Sequence, residues 1–179
     1  MSLIGTWYRP GSRVIDILVR HSRCVAEKAV AVARAVPHLD PDLIFIQEAA
    51  ILHDIGIFLT HSPKLGCYGR HPYICHGYLG RELLERNGYP RHALVCERHV
   101  GVGLSAGDIT REKLPLPIRD MRPVTIEEQI VCYADKFFSK DSSDPEKEKP
   151  LKDIQKMLAS YGPRQAAQFE SWITLFGDG

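Results

Sequence analysis

Leu43-Ile44-Phe45-Ile46-Gln47-Glu48-Ala49-Ala50-Ile51-Leu52-His53-Asp54-Ile55-Gly56 is an apolar run of helix length that ends in an imidazole and a carboxylate side by side. Its apolar residues lie nearly all round a helical projection, which predicts a central helix buried by several neighbours. Polar groups at the mouth of such a segment are costly to leave unpaired, and a divalent metal is a partner that suits both. Any chain with eight histidines can hold one His-Asp pair by chance. Its company raises the signal: His21 upstream, His76 and His99 downstream, and Asp135 beyond them, each in a segment that reads as helix.

Working outward, Val14, Leu18, Val25, Ala29, Val32 and Val36 recur at helical spacing, and His21 falls on the same face. Pro37 ends that helix, and Asp40-Pro41 is expected to supply an N-cap and a first-turn proline for the next. The glycines and prolines between Gly56 and Pro72 read as a loop. A third helix is expected from about Pro72 to Arg86, with Gly80 one turn after His76, where a second backbone can approach closely. Pro90 opens a fourth helix carrying Val95, Cys96, His99 and Val102, and Gly103 to Pro123 reads as a long irregular connection. Thr125 and Glu128 have capping-box spacing for a helix expected to run through Ser139.

A charged, Pro-flanked linker is expected at about 141–150, followed by C-terminal helices over about 151–176. No segment alternates convincingly as a strand, so the expected class is all-α, in a single domain over 1–179.

The 179 residues suffice to bury a core without disulfides or structural zinc. Five cysteines, odd in number and without a C-x-x-C, fit core packing in a reducing cytoplasm better than a disulfide framework. A net charge of +1 with no block of Lys or Arg gives no footprint for duplex nucleic acid or an anionic membrane. Neither a leader-like N-terminus nor a membrane-length apolar stretch is seen. Small-molecule partners become the expectation.

His21, His53, Asp54, His76, His99 and Asp135 together offer four imidazoles and two carboxylates, enough for two divalent ions drawn from Fe, Mn, Co, Ni, Zn or Mg. Two adjacent ions lower the pKa of a shared water and neutralise attacking and leaving oxygens in phosphoryl transfer. Hydrolysis of a phosphate ester by a metal-activated hydroxide is the chemistry such a set performs most directly.

The ordered stretches Arg20-His21, Leu52-His53-Asp54-Ile55-Gly56, His76-Gly77 with Gly80 and Leu83-Leu84, Glu97-Arg98-His99-Val100-Gly101, and Ile130-Val131-Cys132-Tyr133-Ala134-Asp135-Lys136 resemble the HD-domain superfamily, specifically its small stand-alone HDIG subgroup. The resemblance covers roughly 13–140. It implies a helical bundle with the metal site between core helices, and phosphohydrolase activity on a nucleotide or another small phosphorylated substrate. Carried over by residue, it implies that His21, His53, Asp54 and Asp135 bind one ion. It further implies that Asp54 bridges to a second ion held by His76 and His99. His61 and His71 have no place in the family pattern, and either is an alternative to His76.

Lys136 beside Asp135 and Arg98 beside His99 are the candidate cations for a substrate phosphate, and with Asp54 they form the expected catalytic group. Two rivals rest on the same ligands: a di-iron oxygenase of the HD type, and a non-catalytic nucleotide-binding module.

Overall fold

The computed structural model describes residues 3–141 and 144–177, so Ser142 and Ser143 of the expected linker lie outside the described residues. The described residues form eight α-helices: α1 (Arg13–Ala35), α2 (Leu43–Leu52), α3 (His76–Arg86), α4 (Pro90–Arg98), α5 (Ala106–Arg111), α6 (Ile126–Asp135), α7 (Leu151–Ser160) and α8 (Pro163–Phe176). The only sheet among them is a two-residue ladder, β1 (His61–Ser62) antiparallel to β2 (Cys67–Tyr68), within the loop after α2. The fold is all-α.

Helix α1 buries Leu18, His21, Val25, Ala29 and Val32 on one face, as their spacing requires. It lies against α2 and α6, while α2 also packs on α4 and α6, so α2 is central. Its first turn departs from the expected burial all round, since Ile44 is 73% exposed; Phe45, Ile46, Ala49 and Ala50 carry the packing. The cap also differs. Asp40 adopts a left-handed conformation that closes the turn Pro37–Leu39, and Asp42 caps α2 by accepting from the Phe45 N–H at 2.9 Å.

Helices α3 and α4 pack tightly on each other, and the turn after α2 packs on α3, through small residues. A Cβ on Gly80 would stand 2.3 Å from Cys96 Sγ, and one on Gly56 would stand 2.3 Å from the His76 carbonyl oxygen. Only glycine lets these backbones meet. The third helix begins at His76 rather than Pro72, because Tyr73–Cys75 forms a separate 3₁₀ turn.

The connection from Gly103 to Pro123 contains α5, contrary to its irregular reading. Ser105 and Asp108 form a reciprocal capping box there, with Asp108 Oδ2 accepting from Ser105 N at 2.9 Å. The reverse holds at α6. Thr125 accepts from the Glu128 N–H, but Glu128 turns its own carboxylate to the Val124 N–H at 2.6 Å and to Arg98. Helix α6 ends at Asp135, short of Ser139.

Helices α7 and α8 pack on each other and lay Phe169, Trp172 and Phe176 against Tyr133 and Phe137, closing the main core. No helix among the described residues is long and apolar enough to cross a membrane.

Candidate metal centre

Three of the four expected histidine ligands sit at helix termini. His53 caps the end of α2, His99 caps the end of α4, and His76 opens α3. Each imidazole is anchored by its own backbone in the same way. Nδ1 lies 2.6 Å from Ala50 O for His53, 2.7 Å from Tyr73 O for His76 and 2.7 Å from Cys96 O for His99. A carbonyl only accepts, so each Nδ1 carries a proton; His76 and His99, kept neutral by burial, present an Nε2 lone pair inward, and His53 does so once its second proton is displaced. This is how imidazole is oriented for a metal.

His21 comes from the buried face of α1, and Asp135 from the last turn of α6. Asp54 follows His53 in the turn after α2 and is fully buried. Its Oδ2 faces His21 Nε2 at 3.3 Å and His53 Nε2 at 3.1 Å. Its Oδ1 faces His76 Nε2 at 3.3 Å and His99 Nε2 at 3.4 Å. Asp135 Oδ1 completes the first side, 2.9 Å from His21 Nε2 and 3.4 Å from His53 Nε2. Two donor groups result, His21–His53–Asp54–Asp135 and Asp54–His76–His99, and they share Asp54.

The residues fit divalent ions on three observations. Donors bound at about 2.1 Å in tetrahedral or octahedral geometry stand about 3.0–3.4 Å apart, and the donors here stand 2.9–3.4 Å apart. Nε2 of His76 and Nε2 of His99 are 3.0 Å apart although both Nδ1 atoms already hold protons, so two lone pairs converge. His53 Nε2 and both Asp54 oxygens are also buried without a well-aligned hydrogen bond, despite their short contacts. Buried polar atoms in that condition want a partner.

Electrostatics divide the imidazoles. Burial lowers His21 to about 4, with Lys140 adding to the effect, and lowers His76 to about 3. His99 is lowered for the same reason. Burial opposes charge on His53 as well, but the Asp54 and Asp135 carboxylates outweigh it and raise this ring to about 9. Both carboxyls are held well below their ordinary range: burial opposes their ionisation, while His53 and Lys140 at Asp54, and Lys136 and Lys140 at Asp135, prevail.

Lys136 is buried beside the first donor group. Its Nζ donates to Asp135 Oδ2 at 2.7 Å and to the His99 carbonyl at 3.0 Å. Arg98 is ion-paired as well, but away from the donor groups: its Nη1 donates to both oxygens of Glu128, at 2.8 and 2.9 Å. His61 and His71 are exposed and enter neither donor group, which leaves His76 in the second.

Two residues at the centre escaped the sequence reading. Lys140 Nζ is 2.6 Å from Asp54 Oδ2, an ion-pair distance without hydrogen-bond alignment. The signal for it was the i,i+4 spacing from Lys136 beyond the end of a ligand helix. Tyr73 stacks on His76 with centroids 4.7 Å apart, besides offering its carbonyl to that ring. Nothing in its local sequence marks it.

An all-helical bundle with a His/Asp cluster between α1, α2, α3, α4 and α6 defines the class. The chain matches the HD domain family over residues 18–139, and it belongs to that family. It is 34% identical over 121 residues to an uncharacterized protein of Methanocaldococcus jannaschii, covering 66% of this chain and 64% of that one. Similar too are two proteins named tRNA (cytidine(56)-2'-O)-methyltransferase. The one from Picrophilus torridus is 33% identical over 70% of this chain and 33% of its own length. The one from Thermoplasma volcanium is 31% identical over 80% of this chain and 40% of its own. The match therefore spans about two thirds, one third and two fifths of these relatives. No solved structure matches significantly.

Proposed function

We propose that this protein is a metal-dependent phosphohydrolase that cleaves a phosphate ester of a small molecule, a nucleotide being one candidate. The observation that carries the reading is the division of Asp54, one oxygen toward each donor group. His21, His53, Asp54 and Asp135 would hold one divalent ion, and Asp54, His76 and His99 a second. Such ions supply Lewis acidity, lowering the pKa of water and neutralising charge on phosphate oxygens.

The chain's own residues orient and screen. The Nδ1–H bonds of His53, His76 and His99 hold three rings in register. Asp54 fixes the spacing of the two groups. Lys136, held beside the first group by Asp135 and the His99 carbonyl, would draw a phosphate oxygen toward that group, and Lys140, paired with Asp54, would do the same. Arg98 contributes through its hold on Glu128, which ties the end of α4 to the start of α6.

The methyltransferase names describe chains of which the match covers 33% and 40%. We assign the shared part to the HD domain, and their printed activity does not carry over.

The test uses protein stripped of metal and reloaded with Mn, Fe, Co, Ni or Mg. It is offered phosphomonoesters, nucleotides, dinucleoside polyphosphates and cyclic nucleotides. Phosphate or nucleotide release that disappears in Asp54→Ala is expected. Substrate-dependent oxygen uptake by the iron form without phosphate release would overturn the reading in favour of an oxygenase. Tight binding without turnover under every metal would overturn it in favour of a binding module.

A further inference from the structure

A cavity of about 310 Å³ opens against the metal centre, with Asp135 and Lys136 in its wall. Four lysines line it, Lys64, Lys136, Lys140 and Lys149, against two carboxylates, Asp135 and Asp141. The wall therefore carries an excess of two positive charges. Asp135 belongs to the first donor group, so a cation bound there would leave still more of the lysine charge uncompensated.

The four lysines fall into two sets. Lys136 and Lys140 are paired to Asp135 and Asp54, at the metal end. Lys64 and Lys149 have no ion-pair partner among the described residues. Burial, and then the neighbouring ammonium groups of Lys136 and Lys140, hold Lys149 below the ordinary lysine value in spite of Asp135 and Asp141.

Lys149 is also held in place. Its backbone N–H donates to Phe137 O at 2.7 Å, and the adjacent Glu148 is gripped at 2.9 Å by Lys28, itself buried over the Phe137 ring. The stretch after residue 143 is thus fastened to the bundle here, more than a solvated linker requires. Leu65, Phe138 and Met157 give the cavity an apolar side between its polar ends.

We propose that this cavity is a second-anion subsite: Lys64 and Lys149 bind a phosphate or carboxylate of the ligand other than the group held at the metal end. The ligand class is a small phosphorylated molecule with two separated anionic groups, such as a diphosphate or bisphosphate. The role of the first group rests on the hydrolase reading; binding of the second does not.

Isothermal titration of the full, metal-free chain with inorganic pyrophosphate and with orthophosphate tests this. Pyrophosphate is expected to bind at least about tenfold tighter, because it engages two sets of charge-assisted donors. The double variant Lys64→Met/Lys149→Met should lose that preference. Lys152→Met/Lys156→Met, which removes two exposed lysines of α7, should keep it. Equal affinities for the two anions, or equal losses in both variants, would overturn the subsite. Melting curves establish that each variant is folded, and the single variants Lys64→Met and Lys149→Met, each expected to lose part of the preference, give a second reading. A protein that prefers pyrophosphate yet hydrolyses no ester keeps the subsite and refutes the hydrolase; turnover without the preference does the reverse.

Discussion

Glu97 is the buried joint of the α3–α4 pair, and Glu97→Gln is expected to loosen it. Its side chain is fully buried and pairs through one oxygen with Arg81 of α3 and through the other with Arg119 of the loop after α5. Breaking a buried pair by removing one charge costs about 3–5 kcal/mol. The two arginine side chains are 23% and 41% exposed, so water recovers part of their solvation, and glutamine still accepts one hydrogen bond. The net cost should be about 2 kcal/mol, which for a chain of this size lowers the melting temperature by about 4–8 °C. Circular dichroism melts of metal-free protein measure this. The loss should persist at about 0.5 M salt, because a buried pair is poorly screened. Since α3 and α4 carry His76 and His99, the second metal equivalent should also bind more weakly. A melting temperature within about 1 °C of wild type would refute the reasoning.

Gly80→Ala should destabilise by about 1–3 kcal/mol, since the new Cβ meets Cys96 Sγ and the Gly56 backbone; an unchanged urea midpoint would count against the close approach. In chelated protein, His21 and His76 titrate lower folded than unfolded, so stability should fall as pH drops from about 6.5 toward 4. His53 titrates higher, at about 9, so its contribution is present below 6.5 and should fade as pH rises toward 9. Urea midpoints across that range test both signs, and a flat profile contradicts them. Trp172→Ala should cost about 3–5 kcal/mol, because it empties a fully buried place beside Tyr133 and Phe169 and strands Gln129 Oε1; a loss below about 1 kcal/mol would show that α8 contributes little to the core.

Much of the candidate site was legible because its potential donors obey local rules. His21 shares the face of Leu18 and Val25, and a 3.6-residue period reveals which way that face points. His53-Asp54 announces itself as a polar pair at the end of a buried helix. Gly80 was legible as a point of close approach, though the identity of what approaches, Gly56 and Cys96, is a long-range fact. Lys140 was missed because it lies past the end of α6 and meets Asp54 only through the tertiary fold. Adjacency to His99 says nothing of Glu128, thirty residues on, which takes the Arg98 guanidinium. The Ser105–Asp108 box of α5 was present in the sequence, but the prolines that follow drew attention to the loop. The reading at Asp40 failed through backbone geometry: Pro41 follows it, and the left-handed turn passes the cap to Asp42.

Metal stoichiometry tests the central claim most directly. Elemental analysis of reconstituted protein, paired with titration calorimetry, should find two divalent ions per chain in wild type and one in the double variant His76→Ala/His99→Ala. Wild-type protein that binds no ion, or a double variant that binds as many as wild type, would contradict the shared site built on Asp54.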